Sequence, residues 1–467
     1  MEPGETVTGI TDVGIHSEGD RRAPDGATSG VKITPASRVS LWRHRDFLYF
    51  WVGQSTSMLG SAVSTIALPL VGVLLLNFDA MHMGIVASVT LLPTVIVSPF
   101  IGPVVDRMDR RRLMIAADIG RALLLASIPI GYWMHVLGFA QIIVVGGGMG
   151  ILTLTFNVAH QAFLPNVVET RSLADGNGKL EASQSVAEVS GPGLAGWLIG
   201  IGGPAVAVIA DAASYVISVF CLTRVRERPR TPPQLRSSDG VKDGETVGGG
   251  QGRFGRFWED TKSGFRLLWA DPVLRAVSVS YAALALFAQI QMAVYMLMLV
   301  RGLNFGPWLI GLVFSLSSVV GFISALVSGR LTERFGVGRL IVIGQASMVA
   351  GGILLAAVGG STFRAAATML LAEAFFANGM SFYGVGSRTL NQTRVAEEVR
   401  GRIIGASKVL TGVLCAGAGV IGGALGAAFG LRAAMVVGAV GMTVSLVLVI
   451  RPQVWAVRSV AMDEGAL

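Results

Sequence analysis

The sequence predicts an all-α integral membrane fold: twelve transmembrane helices in two pseudo-symmetric six-helix bundles. Three observations carry that expectation. The composition is too apolar for water, twelve apolar runs each have the length of a bilayer crossing, and the second half of the chain repeats landmarks of the first at a near-constant offset. Of 467 residues, 52% are hydrophobic and only 14% are charged, against roughly 25% charged in an ordinary soluble domain. The mean hydropathy is +0.63. So little charge cannot cover the surface of a soluble chain of this size.

Composition also removes other classes. Glycine is abundant, 61 residues, but follows no G-X-Y period, so a collagen-like fibre is excluded. Glycine inside apolar stretches instead reads as close helix packing in a bilayer. The two cysteines, Cys221 and Cys415, lie far apart in apolar runs; they read as small buried filler rather than a disulfide framework.

The apolar runs fall at about 47–76, 81–104, 113–134, 139–162, 175–200 and 204–223, then 274–299, 306–328, 338–358, 364–387, 402–428 and 430–451. Each is near the ~20 residues a spanning helix needs. The expected organisation is a disordered cytoplasmic tail at 1–40, an N-terminal six-helix half at 41–224, a cytoplasmic linker at 225–270, a C-terminal half at 271–452, and a cytoplasmic tail at 453–467. The tail has no apolar core of a signal peptide. The linker holds Arg-Pro-Arg-Thr-Pro-Pro at 228–233 and three glycines at 248–250, and its end, about 254–268, has the pattern of an amphipathic helix.

Net charge is +8, and its placement gives an orientation. Of 37 Lys and Arg residues, Arg301, Arg364 and Arg432 fall beside the hairpins opposite the tails, and Arg121 lies within a span. All the others lie in the tails, the linker or the loops on the tails' side. The positive-inside rule then expects both termini in the cytoplasm of a cell with the protein in its inner or plasma membrane. Basic residues spread around one membrane face do not form a nucleic-acid groove, so no nucleic-acid partner is expected.

The internal repeat is read from three anchors. Gly102, Asp106 and Arg107 after span 2 match Gly329, Glu333 and Arg334 after span 8, at offset 227. Gly191, Gly193 and Gly196 match Gly417, Gly419 and Gly422 at offset 226, and Asp46 matches Asp271 at offset 225. The glycine triplets also match G-x-G-x-x-G, but a dinucleotide site needs that pattern between a strand and a helix, and these lie inside membrane spans. There is no G-x4-G-K-[ST] sequence, so no nucleotide cofactor is expected, and no ligand cluster for a metal stands out.

The run Gly102-Pro-Val-Val-Asp106-Arg107-Met-Asp109-Arg110-Arg111-Arg112, with Gln161-Ala-Phe-Leu-Pro, Gly191-Pro192 and Asp211-Ala-Ala-Ser-Tyr, resembles the major facilitator superfamily. Within it the sequence is most similar to the macrolide-efflux and enterobactin-type exporter subgroup, over about 41–455. Asp109 stands where the wider family has Gly, and Ala187 and Ala195 replace glycines of the family's exporter motif. The resemblance implies parallel six-helix halves, a substrate site between them near the bilayer midplane, and a monomer with a small-molecule substrate, protons and membrane lipid as partners.

It also implies roles. Asp106 would latch onto the start of span 11, completed by Gly102, Arg107, Arg110 and Arg111, with Glu333 and Arg334 as a weaker copy. Positive-inside topology alone would explain the basic residues but not the Gly-x3-Asp-Arg order. Gly191, Pro192 and Gly196 would form the exporter motif, a tightly packed bend; ordinary glycine packing is the plainer reading. Spans 1, 4, 7 and 10 would line the cavity. Gln54, Ser57 and Ser61, with Ser64, share one face of span 1, and Thr153 and Asn157, with His160, share one face of span 4. Span 7 offers Gln289 and Met292, and span 10 offers Asn378. Each is equally well read as an interhelical hydrogen-bonding or packing residue.

Ionisable residues inside spans are the proton-coupling candidates, because each is costly in lipid unless paired or facing water. Asp118 and Arg121, three apart on one face, read first as a structural pair. Asp211, Glu188 and Glu373 are the remaining acids. Glu373 has no basic neighbour in sequence, a setting in which a carboxyl can take up and release a proton. No nucleophile, base and orienting acid occur together, so the chain is not expected to be an enzyme. The combined expectation is a secondary active transporter, a proton-coupled exporter of a hydrophobic or amphipathic compound, macrolide-like or siderophore-like, working by alternating access. A lysophospholipid or lipid flippase of the same fold and a non-transporting membrane sensor are the other readings.

Overall fold

The computed structural model describes residues 41–169, 172–226 and 251–457, without the side chains of Arg43, Thr94, Pro99, Phe100, Gly102, Pro103, Asp106, Arg107, 251–258 and Asp260. The tail expected at 1–40, the linker segment 227–250 and the end at 458–467 lie outside the described residues. The described chain is helical, with no strand. The long helices are α1 (Arg45–Leu70), α2 (Ala80–Arg107), α3 (Arg110–Trp133), α4 (Phe139–Val167), α5 (Leu173–Arg224), α6 (Gln251–Ala270), α7 (Pro272–Leu297), α8 (Pro307–Phe335), α9 (Val337–Ala357), α10 (Thr362–Arg394), α11 (Glu397–Phe429) and α12 (Leu431–Val449), followed by a short α13 (Pro452–Trp455).

Eleven continuous helices among the described residues are long and apolar enough to cross a membrane. The twelfth crossing is inside α5. Its 52 residues would be about 78 Å long if straight, far more than a ~30 Å hydrocarbon core. The chain reverses at Gly203, where φ is 78°, a conformation that a side chain would strain. The two limbs, 173–202 and 204–224, are therefore separate spans. At the matching place in the second half Gly430, φ 87°, separates α11 from α12.

Other paired details share the offset of 227. Both α1 and α7 end in a π-helical turn, Val71–Leu75 and Met298–Gly302. Each turn is followed by an asparagine in the left-handed region, Asn77 at φ 51° and Asn304 at φ 53°, which asparagine tolerates better than most residues. The next residue folds back: Phe78 N–H donates to the Gly72 carbonyl and Phe305 N–H to the Leu299 carbonyl, both at 2.9 Å. Asp271 caps α7 through the Val273 and Leu274 N–H groups and also accepts from Arg394 Nε at 2.7 Å. Burial pushes its carboxyl up, but these donors outweigh that and hold it below its ordinary value.

Helix alternation defines a terminal face, where α1 begins and α12 ends, and a far face. Three apolar clusters show how the halves meet. One draws on both halves and lies mostly toward the far face, with Leu70, Met83, Ile199, Val294, Phe305 and Met369 among its members and Ala122 and Tyr215 reaching to mid-depth. The other two lie near the terminal face, one in each half. Among the described residues, the apolar cluster shared by both halves lies toward the far face, and the clusters near the terminal face each stay within one half.

Two helix crossings make that seal, and they are repeat mates. At one, α2 meets α11: a Cβ on Gly423 would lie 2.6 Å from the Ala80 carbonyl oxygen and 3.0 Å from Cα of Gly84. At the other, α8 meets the first limb of α5: a Cβ on Gly196 would lie 2.6 Å from the Pro307 carbonyl oxygen and 3.1 Å from Cα of Gly311. One turn deeper, each crossing carries the same hydrogen bond. Val420 N–H donates to Ser88 Oγ at 3.0 Å, and Gly193 N–H donates to Ser315 Oγ at 2.8 Å. Leucine at Gly84 is expected to pry the far face open. A cysteine at Val294, fully buried in that core, should be silent to a charged maleimide in a Cys221→Ser, Cys415→Ser background and become labelled when Gly84→Leu is added. Continued silence would mean that the crossing does not hold the seal.

Candidate substrate cavity and buried charge network

A cavity of about 530 Å³ lies in the N-terminal half beneath the seal. One wall is α1, with Gln54, Ser57, Met58, Ser61, Ala62 and Thr65; another is α4, with Thr153, Phe156, Asn157 and His160. The first limb of α5 adds Gln184, Glu188 and Pro192, α3 adds Arg121, and α8 of the other half adds Ser318. At 1.5 Å per residue, Gln54 and Glu188 sit about 14 and 22 Å in from the terminal ends of their helices, so the cavity is at mid-depth. The face predicted from spacings of three and four on α1 is the face that lines it, as is the α4 face. Gln289, Met292 and Asn378 do not line it. Asn378 has a buried side-chain oxygen without a partner, and Met292 is 42% exposed.

Behind the wall is a set of buried charges. Arg121 pairs with Asp118 on the same helix face, and both side chains are almost wholly buried. The guanidinium is also stacked between two rings, 4.3 Å from the centroids of Phe156 and of Tyr215. Tyr215 meets Ser61 through their hydroxyls at 2.9 Å, which ties the network to the cavity wall. Asp211 is fully buried, accepts hydrogen bonds from Ser64 and Ser214, and lies close enough to Arg121 to feel its charge. Ser64 thus turns away from the cavity, to the acid. Gly60 leaves the space for this: a Cβ there would run into Ser214 and Asp211.

The second half has a smaller polar centre. Tyr295 on α7 donates to Glu373 on α10 at 2.5 Å. Glu373 is buried under the far-face core and has no cationic partner among the described residues. Gln291, one turn from Tyr295, braces the half by donating to the Gly352 and Met435 carbonyls at 3.0 and 2.8 Å.

The exporter-motif residues sit at contacts: Gly191 abuts Ala62 of α1, while Pro192 and Gly196 abut Gly311 of α8. Of the latch residues, Gly102, Asp106 and Arg107 occupy the last turns of α2, and their side chains lie outside the described residues. Arg110 donates to the Ala162 carbonyl at 2.7 Å, and Arg111 to the Leu222 and Thr223 carbonyls at 2.8 and 2.5 Å. Both thus bind carbonyls near helix C-termini of their own half, which favour cations. Glu333 is exposed, and the Arg334 guanidinium lies 5.6 Å from the Phe335 ring centroid.

Sequence reasoning gave no role to Tyr215, although it closes the Asp211-Ala-Ala-Ser-Tyr run, and did not single out Tyr295, Phe156, Gln184 or Ser318. Tyr215 and Gln184 were findable, each lying four residues from an acid, Asp211 and Glu188, on the same helix face. Ser318 comes from the other half and carries no local signal. Two carboxylates near one guanidinium make an asymmetric prediction. Arg121→Met leaves Asp118 and Asp211 uncompensated and should destabilise by about 3–5 kcal/mol. Asp118→Asn should cost less, because Asp211 still balances the guanidinium. Thermal unfolding in detergent checks this; equal losses would mean that Asp211 is not part of the network.

The profile of the Major Facilitator Superfamily matches residues 50–419. The chain is 23% identical over 285 residues to the tetracycline resistance protein, class C, of Escherichia coli, covering 59% of this chain and 64% of that protein. It is 24% identical over 230 residues to the multidrug efflux pump Tap of Mycolicibacterium fortuitum, covering 48% of this chain and 52% of Tap. The chain thus spans between half and two thirds of these two relatives. Among solved structures, a bacterial homologue of the iron transporter ferroportin in its inward-facing state matches with a TM-score of 0.68 at 16% identity, covering 88% of this chain and 99% of that one. The nucleoside transporter NupG matches with a TM-score of 0.62 at 15% identity, covering 86% of this chain and 97% of that one. These likenesses share the fold. With its membrane-spanning helices and a family profile over most of its length, this multi-pass membrane protein belongs to the major facilitator superfamily, whose members are transporters rather than enzymes.

Proposed function

We propose that the chain is a proton-driven exporter of amphipathic small molecules, working by alternating access in the cytoplasmic membrane with its terminal face in the cytoplasm. The observation that supports this reading is an apolar core shared by both halves toward the far face above a mid-depth cavity, while among the described residues the clusters near the terminal face each stay within one half. That is the geometry of a site loaded from one side. The surplus of basic residues on the terminal side supports the orientation. The efflux activity named for Tap and the resistance named for the E. coli relative support the direction.

Entry of one proton supplies about 2.3 kcal/mol per 100 mV of membrane potential, enough for a gradient of about fiftyfold. No nucleotide site is needed. Glu373 is the proposed proton carrier: a buried carboxyl held by a neutral tyrosine, with no cation among the described residues to keep it charged. It lies just beneath the far-face seal, where opening that face would expose it to the outside.

The test uses purified protein in liposomes with a pH-sensitive dye inside, an imposed proton gradient, and a panel of macrolides, siderophores and lysolipids. Substrate-dependent proton flux that falls at least about tenfold in Glu373→Gln is expected. Full flux in Glu373→Gln would remove Glu373 as the carrier. Absence of flux with every compound, with lipid movement in its place, would overturn the exporter reading.

A further inference from the structure

The cavity's charges discriminate between possible substrates. Of the residues lining it, Arg121 and Glu188 carry charge, and their situations differ. Arg121 is already matched: Asp118 pairs with it, two aromatic rings cover its faces, and Asp211 stands nearby as a second carboxylate. Glu188 is exposed to the cavity and has no cationic partner among the described residues. Among the described residues its hydrogen bond comes from Gln184, whose Nε2 donates to Oε1 at 2.8 Å, and Oε2 takes none.

His160 adds no competing pair. It stacks at 5.2 Å on Phe50 and at 6.1 Å on Phe156, and its buried Nε2 has no partner. A negative group would have to displace Asp118 from Arg121 while facing Glu188 and Asp211. A positive group finds an available carboxylate among low-dielectric walls that focus its field. Met58, Ala62, Phe156 and Pro192 give those walls apolar area, and about 530 Å³ suits a drug-sized molecule.

We propose that the cavity selects bulky amphipathic cations and that Glu188 is the group that reads their charge. This rests on the proposed function only in taking the cavity as the substrate site. It favours amine-bearing compounds over anionic, siderophore-like ones within the class proposed above.

The test compares two ions of the same shape and opposite charge, tetraphenylphosphonium and tetraphenylborate. Binding is measured by equilibrium dialysis on the full-length protein in neutral detergent, with protein-free micelles subtracted and no proton gradient. The phosphonium should bind more tightly by about tenfold or more. Glu188→Gln should abolish that preference, and Glu188→Asp, which keeps the charge, should retain most of it. Equal or tighter borate binding by the unaltered protein would overturn the inference without recourse to any variant, as would a preference that survives Glu188→Gln. Export of other compounds alongside either result would leave the transport reading standing. Glu188-dependent phosphonium binding without proton flux for any compound would uphold the cavity assignment and overturn proton-driven export instead.

Discussion

The close approach of helices at two glycine crossings is the constraint on which the rest of this structure depends. Where α2 meets α11 and where α5 meets α8, backbones come near enough that a single Cβ would collide with a carbonyl of the opposing helix. Lipid offers no hydrophobic drive for helices to associate, so close packing and interhelical hydrogen bonds must supply the attraction. The glycines allow the first, and Ser88 and Ser315 supply the second. Because the crossings sit near the far face, they set where the halves touch and therefore where they part. The cavity's depth and the burial of Glu373 beneath the seal both follow from that placement. A contact made of short side chains and two backbone-to-serine hydrogen bonds is also one that can break without leaving a charge stranded.

The two halves share a backbone plan but divide their chemistry. The first half holds Asp118, Arg121 and Asp211 together with the cavity that touches them. Such a set is expensive in hydrocarbon and persists only when its members satisfy one another. Among its described residues the second half buries one acid, Glu373, against a tyrosine, and its Gln291 acts as a brace between α7, α9 and α12. Symmetry governs the scaffold, the turns and the seal. The site is asymmetric, built chiefly from α1, α4 and α5, with one hydroxyl from across the interface.

Much of this was legible in the sequence, for identifiable reasons. Hydropathy and length marked the spans, because a bilayer imposes one scale on every crossing. The offset between Asp46 and Asp271, or between the glycine triplets, exposed the repeat. Same-face spacing on spans 1 and 4 found the cavity-lining positions, since a helix carries its polar stripe visibly. What stayed hidden depends on contacts between helices. Gly84 and Gly311 look like any glycine in an apolar run until their opposing carbonyls are in place. Ser64 shares a stripe with Ser57 and Ser61 but is turned to Asp211. Gln289 and Met292 were expected in a central cavity from the family resemblance rather than from their own surroundings, and they do not line the cavity of the N-terminal half. The left-handed Asn77 and Asn304 after paired π-helical turns show in the sequence only as two ordinary asparagines.

The far face is closed by contacts able to break, and the proposed cycle needs the halves to part at the terminal face while that seal holds. Electron–electron double resonance on a Cys221→Ser, Cys415→Ser background tests it directly. One spin-label pair would sit at Val136 and Phe363, both exposed on the far face. The other would sit at Met108 and Phe335, both exposed on the terminal face. Without substrate, the far pair should give a narrow distance distribution and the terminal pair a longer one. With a transported compound and a proton gradient across a liposome, the far pair should lengthen as the terminal pair shortens. Two distributions that stay fixed under every condition, or that lengthen together, would contradict the account.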